Sequence, residues 1–316
     1  MTTTPFAQQA EFFGNRLRKN FKHLRRIMAR ESIEAFRLFD RDIPELRLVL
    51  DWYAGHAVLA EYVRDQTAGT GFLAAMADAA ALALAIPRDR VHTKERRTGA
   101  RGHRYARLAQ VGQRLEVRER DLVFLCNLTD FIDTGLYADH RITRQLLRQE
   151  AAGKDFLNLF AYTGAFTVAA AKGGARCSVS VDTSQPYLDW GRDNLAANGL
   201  ASDAHTAAAI DVGAWLEWAR RSPQRFDLAV VDPPSFSQNR STGVDFDVQR
   251  DHPALLAAVA AVLRPGGVLF FSTNHQRFVP QFGGLQLDVR DLTAETLPID
   301  FRNARVHGCW RLQLPG

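Results

Sequence analysis

From residue 154 onward, short apolar stretches alternate with helix-like ones: KDFLNLF, GAFTVAAAKG, RCSVSVD, QPYLDWGRDNLAANG, AHTAAAID, VGAWLEWARR and FDLAVVD. A helical pattern at DHPALLAAVAAVL, a strand GVLFFST behind a Pro-Gly-Gly turn and two late strands around LQLDVRDL and ARVHGCWRLQL complete the series. Short apolar strands separated by helices pair in parallel through right-handed crossovers, with helices on both faces of the sheet. The expected fold is α/β: a Rossmann-like, doubly wound sheet of seven strands over residues 136–316, the last two strands forming a hairpin.

An open parallel sheet binds its ligand at the carboxyl ends of the strands, near the point where strand order reverses. The residues to weigh are therefore Asn158 to Gly164 after the first strand, Asp182 after the second, Asp211 after the third and Asp232 after the fourth. The first turn, NLFAYTGAF, has Gly164 alone where a dinucleotide site needs G-x-G-x-x-G to admit a pyrophosphate. That disfavours a nicotinamide dehydrogenase and suits a nucleoside ligand without phosphate, of which S-adenosylmethionine is the commonest on this architecture. Asn158, Phe160, Tyr162, Thr163 and Gly164 would then line the cofactor, with Asp182 and Thr183 at the ribose and Asp211 near the adenine. Asp182 and Asp211 could equally cap the helices that follow them.

In VVDPPSF, two prolines cannot continue the strand, so they turn the chain and fix what flanks them at the rim. Asp232, Pro233, Pro234 and Phe236 form the candidate catalytic corner: the ring can stack on an extruded base while the carboxylate faces its edge. This points to methyl transfer onto a planar nitrogenous group.

The first 135 residues are expected to form a separate α+β domain. They carry 22 Lys/Arg against 17 Asp/Glu, so the chain's whole excess of +5 lies there. In NRLRKNFKHLRRIMAR, Leu17, Phe21, Leu24 and Met28 fall at helical spacing, while Arg18, Lys19, Lys22 and Arg25 share the other face. That face could grip RNA or could simply be wet. Two strands around Ala54-Gly55, a helix over 71–86 ended by Pro87, and strands RLEVRER and LVFLCNL fill out the domain. TKERRTGARGHRYARL (93–108) suits a mobile loop folding onto phosphates through Lys94, Arg96, Arg97 and Arg101. Three scattered cysteines suggest reduced thiols and no metal site. The opening MTTTPFAQQAEFFG lacks a signal-peptide pattern and no apolar run is long enough to span a bilayer, so a cytoplasmic protein with no membrane partner is expected.

FFGNRLRKN, RLFDRDIPE, TDFIDTGLYADHR, KDFLNLFAYTGAFTV, FDLAVVDPPSFS, DFDVQRDH and VHGCW together resemble the RlmK-type methyltransferases, the half of the bifunctional bacterial RlmKL enzymes that makes N7-methylguanine in 23S rRNA. The resemblance runs in order along almost the whole chain. It implies a class I methyltransferase with an N-terminal RNA-binding extension, acting on 23S rRNA or a large-subunit assembly intermediate in domain V near the peptidyl transferase centre. Asp139 and Arg141 of TGLYADHR would line the cofactor mouth. Asp247 and Arg250 of DFDVQRDH would order the loop over the site or form a local ion pair. The THUMP-containing half that makes N2-methylguanine has no counterpart in these residues, so substrate delivery is expected to rest on the basic front end.

Guanine N7 presents a lone pair and needs no general base, which agrees with the lack of a His or Lys near Asp232 in the sequence. Asp232 is expected to stabilise the cationic product base. Methylation of pyrimidine C5 would need a thiolate, for which Cys309 is the one candidate. Methylation of an exocyclic amine, guanine N2 or adenine N6, would use a similar Asp-Pro-Pro turn. A non-catalytic RNA-binding protein would have no use for a full set of strand-end acids.

Overall fold

The computed structural model describes residues 6–65, 67–96, 109–237, 245–284 and 286–316. The chain divides into two compact units, Met1–Ala138 with Ile299–Arg302, and Asp139–Pro298 with Asn303–Gly316.

The first unit runs α1 (Ala7–Arg30), β1 (Ala35–Asp40), β2 (Leu48–Tyr53), β3 (His56–Tyr62), α2 (Phe72–Leu84), β4 (Val91–Arg96), β5 (Leu115–Glu119) and β6 (Leu122–Cys126). Strands β1 to β4 form one sheet in chain order, antiparallel except for the parallel β3–β4 pair bridged by α2. Ala54 and Gly55 both have positive φ, the primed turn that matches the twist of a tight hairpin. Helix α1 buries Phe13, Leu17, Leu24 and Met28, whose i, i+4, i+11, i+15 spacing keeps one apolar stripe against the sheet. Phe21 is only half-buried, and Asn20 takes a place in the stripe by donating to the Leu38 carbonyl at 2.7 Å and Asp42 at 2.9 Å. Arg18, Lys19, Lys22 and Arg25 are all exposed.

Residues 93–96 depart from the loop expected over 93–108, of which 97–108 lie outside the described residues. Residues 93–96 belong to β4, and Lys94 is 2% exposed, its ammonium donating to the carbonyls of Phe131 and Ile132. A lysine spent on backbone carbonyls does not meet phosphate. Burial, the main cause, pushes its pKa down to about 8. Arg96 pairs with Asp133 at 3.2 Å. Arg97 and Arg101 lie outside the described residues.

The second unit contains α3 (Arg141–Gln149), β7 (Asp155–Leu159), α4 (Ala165–Lys172), β8 (Cys177–Asp182), α5 (Gln185–Ala197), β9 (His205–Ala209), α6 (Val212–Arg221) and β10 (Phe226–Val231). After these come β11 (Phe236–Ser237), β12 (Phe246–Asp247), α7 (Val248–Ala260), β13 (Leu263–Thr273), β14 (Asp288–Asp291), α8 (Thr293–Thr296) and β15 (Gly308–Gln313). Seven of the strands build one sheet in the order β14-β15-β13-β10-β7-β8-β9. Strands β9, β8, β7, β10 and β13 are parallel, and β7 is buried at every residue, as a strand covered on both faces must be. The closing pair differs from a simple hairpin: β14 and β15 pair antiparallel, but β15 inserts between β14 and β13. Strand order reverses between β7 and β10, so the carboxyl ends of those two strands flank the crevice.

At the amino ends of the strands, Asp155 opens β7 and accepts from Arg176 at 2.6 and 2.8 Å and from Arg264 at 2.8 Å. The Arg176 guanidinium is the main cause of a carboxyl pKa far below the ordinary range. A depressed folded-state pKa means that the folded chain binds fewer protons than the unfolded one. This contribution is therefore complete above about pH 4 and is lost as pH falls below it. Asp155→Asn should cost on the order of 2 kcal/mol at pH 7 and flatten the acid limb of the stability curve. Denaturant titrations at pH 7 and pH 2 read this directly, the lower value lying well inside the window over which the contribution is lost; equal losses at both pH values would show that the ion cluster is not the cause.

Candidate active site

At the end of β7 the chain turns through Phe160, Tyr162 and Gly164 with φ of 59°, 49° and 69°. Left-handed φ at two non-glycine residues is unfavourable, and the turn is held by hydrogen bonds that outweigh it. Ala161 N–H donates to the Val181 carbonyl at 3.0 Å, Tyr162 N–H to Asp182 Oδ2 at 2.9 Å, and Asn194 Nδ2 to the Thr163 carbonyl at 2.8 Å. A Cβ on Gly164 would lie 3.1 Å from the Gly191 Cα, so this turn packs directly on the backbone of α5.

Asp182 ends β8 and also accepts from Ser184 N–H at 2.9 Å. Burial pushes its pKa up. The carboxylate accepts from the backbone N–H groups of Tyr162, Ser184 and Thr183 and keeps acceptor capacity, which the two hydroxyls of a ribose diol would fill by donating. These residues fit a nucleoside-bearing cofactor. Thr183 follows Asp182 at the end of β8.

Asn158 is placed differently from its expected role. It is 2% exposed and donates to Thr167 Oγ1 at 2.9 Å, which in turn meets Ser180 Oγ at 2.7 Å. Its side chain braces β7, α4 and β8 beneath the turn. Asp211 accepts from Ala214 N–H at 3.0 Å as the N-cap of α6.

Asp232 follows β10 and accepts from Ser272 Oγ of β13 at 2.7 Å, its side chain remaining 25% exposed. Pro233 is buried, Pro234 half-buried, and Phe236 is 45% exposed on the two-stranded β11–β12 ribbon. Phe246 of that ribbon meets Phe160 at 6.0 Å between centroids, joining the corner to the first turn. The corner is open at the rim, and Ser235 Oγ donates to Asn274 at 2.6 Å.

A histidine does stand beside Asp232, contrary to the sequence expectation. His140 Nε2 lies 3.6 Å from Asp232 Oδ2 and 3.7 Å from Asp139 Oδ2. Its ring stacks on His307 at 4.6 Å and 16°, and His307 Nδ1 is 3.1 Å from Asp139 Oδ2. Asp139 is therefore bound into this cluster, and Arg141, the first residue of α3, is buried. Both histidines lie in motifs quoted above, TGLYADHR and VHGCW, so the signal was the unassigned histidine between two assigned residues. Asp139, His140 and His307 bring ligand-type atoms within 4.8 Å of one another. The parallel rings aim their in-plane lone pairs side by side, however, and His307 is already committed to Asp139 and to Thr296 at 3.1 Å. The cluster reads as a hydrogen-bonded support.

Asp247 caps α7, accepting from Gln249 N–H at 2.9 Å and Arg250 N–H at 3.3 Å, and Arg250 pairs with Asp251 at 2.7 Å, the local arrangement. Cys309 is buried in β15, and burial is the main cause pushing its thiol up to about 12. A cleft of about 430 Å³ near Arg176, Asp227 and Arg264 opens at the amino ends of the strands, with its arginines already paired, away from this corner.

Residues 39–296 match the family model described as S-adenosylmethionine-dependent methyltransferase, and the chain belongs to that family. It is 41% identical over 314 residues to the ribosomal RNA large subunit methyltransferase K/L of Syntrophotalea carbinolica, covering 98% of this chain and 44% of that protein. It is 45% identical over 315 residues to the protein of the same name from Pseudomonas putida, covering 98% and 42%. The resemblance read from the motifs is thus borne out, while the chain spans a little under half the length of these relatives. Among solved structures it is similar to SMU.776, described as a methyltransferase complexed with SAH, at 25% identity and a TM-score of 0.77 over 96% of this chain and 82% of that one. The seven-stranded class I methyltransferase fold and S-adenosylmethionine as cofactor follow. Among the described residues, no helix is long and apolar enough to cross a membrane.

Proposed function

We propose that this chain methylates N7 of a guanine in 23S rRNA, in domain V near the peptidyl transferase centre, as naked RNA or within a large-subunit precursor in the bacterial cytoplasm. The observation that carries the reading is the open corner past β10, which holds a carboxylate fixed by Ser272 and, four residues further on, an exposed aromatic ring. When bound, the cofactor supplies an electrophilic methyl group on a sulfonium. Asp182 anchors its ribose, with Tyr162, Thr163 and Gly164 shaping the turn around it. Phe236 stacks on the flipped base, and Pro233 and Pro234 hold ring and carboxylate in register. Asp232 opposes the positive charge that develops on the purine. The relatives' name, which places them on large-subunit rRNA, supports the choice of substrate.

Transfer to pyrimidine C5 is disfavoured because the Cys309 thiol is buried and held protonated. His140 lends some support to an exocyclic-amine target, since an imidazole could accept the proton such a reaction releases. Burial, the main cause, lowers its pKa, and its buried Nδ1 has no hydrogen-bond partner among the described residues, so a second N–H there would be orphaned. N7, which releases no proton, is the better match. Labelled cofactor incubated with 23S rRNA should deliver label to the RNA; no transfer to free RNA or to large-subunit particles would defeat the proposal.

The exposed face of α1 is the proposed RNA grip. Changing Arg18, Lys19, Lys22 and Arg25 to glutamine should weaken rRNA binding and lower the slope of log K against log salt by about 3. Filter binding across a salt series reads both. An unchanged slope would leave this face merely solvated.

A further inference from the structure

His140 stands beside Asp232 with no part in the methyl transfer proposed above. It is the residue just before α3, is 5% exposed, and is enclosed by Phe166 on one edge and by the His307 ring on its face. The charged and titratable groups facing it are Asp139, Asp232, His307 and Arg144. Two carboxylates face Nε2 and no partner faces Nδ1, which places the ring proton on Nε2. His307, held by Asp139 through Nδ1, fixes the plane of the ring by stacking on it.

We propose that His140 is a positioning residue for Asp232: its Nε2–H and the Ser272 hydroxyl clamp the two carboxylate oxygens in the orientation that faces the substrate base. This inference rests on the proposed role of Asp232. The 3.6 Å separation is just beyond hydrogen-bonding length, as such contacts often are before substrate closes a site. A neutral donor aims the carboxylate without placing a cation beside it, so the negative charge stays available to the product purine. An imidazole acting as a base would instead have to hold two protons in a place with a partner for one.

The test uses the full chain with 23S rRNA and S-adenosylmethionine. His140→Asn and His140→Gln are both polar, but only glutamine reaches far enough to put an N–H where Nε2 stands. His140→Asn should lower kcat about tenfold to a hundredfold with S-adenosylhomocysteine affinity and KM for RNA within about twofold of wild type. His140→Gln should recover most of kcat. The wild-type kcat should stay level between about pH 6 and 9. Full activity of His140→Asn overturns the inference, as does equal impairment of both variants with cofactor binding intact. A tenfold loss per pH unit that sets in below the ordinary imidazole pKa of about 6.5 and is absent in His140→Gln also overturns it, by making the imidazole a proton acceptor. Wild-type turnover of Asp232→Ala would instead defeat the underlying assignment of Asp232, a result separable from failure at His140.

Discussion

Asp232→Ala is expected to lower methyl transfer by about 100-fold to 1000-fold while S-adenosylhomocysteine affinity stays within about twofold. The carboxylate lies past β10 at the substrate rim, whereas the residues assigned to the nucleoside lie past β7 and β8. Removing it deletes the negative charge proposed to oppose the product purine, and also leaves the Ser272 hydroxyl without its 2.7 Å acceptor. Asp232→Asn separates these effects, because the amide oxygen can still accept from Ser272 but carries no charge. If charge stabilisation is the role, Asp232→Asn should be nearly as impaired as Asp232→Ala. Single-turnover rates and calorimetric titration with the product cofactor make the distinction. An Asp232→Asn enzyme with wild-type turnover would reduce Asp232 to a structural acceptor.

Gly164→Ala should abolish measurable cofactor binding, a loss of about 100-fold or more. The left-handed φ of 69° alone costs an alanine about 1 kcal/mol or more. The added methyl would also approach the Gly191 Cα at 3.1 Å, and backbone cannot rotate away as a side chain does. The turn already contains two non-glycine residues of positive φ and has no slack to share a third. Gly191→Ala is the control. Its Cβ would meet Gly164 Cα and the Thr163 backbone at 3.5 Å, an ordinary contact, and within α5 an alanine is favoured over glycine by up to about 1 kcal/mol. The expectation is therefore a crippled Gly164→Ala beside a Gly191→Ala of wild-type melting temperature or higher. Thermal melts with and without cofactor test the pair, and equal behaviour of the two variants would show that the turn's geometry is not what admits the nucleoside.

The α/β sheet could be read from the sequence because each parallel strand is a short apolar run between helices, and burial on both faces leaves no other pattern available. The strand-end acids could be read for the same reason: once the strands are placed, position alone selects Asp182 and Asp232. Asp211 met the same test and caps α6, a use that position alone does not separate from contact with a ligand. The insertion of β15 between β14 and β13 could not be read, because pairing order at a sheet edge leaves no periodicity in the chain. Lys94 misled because its charge was legible and its burial was not. On β4 a lysine can reach inward to the carbonyls of Phe131 and Ile132, which lie more than thirty residues away. His140 and His307 were hidden by distance of another kind, brought into register only when α3 and the approach to β15 come together.

The most direct test of the central claim is mass spectrometry of nucleosides from 23S rRNA after incubation with the protein and methyl-labelled S-adenosylmethionine. The predicted result is label in 7-methylguanosine, absent when Asp232→Ala replaces the wild-type chain. Label in N2-methylguanosine or 5-methylcytidine, or 7-methylguanosine formed equally well by Asp232→Ala, would contradict it.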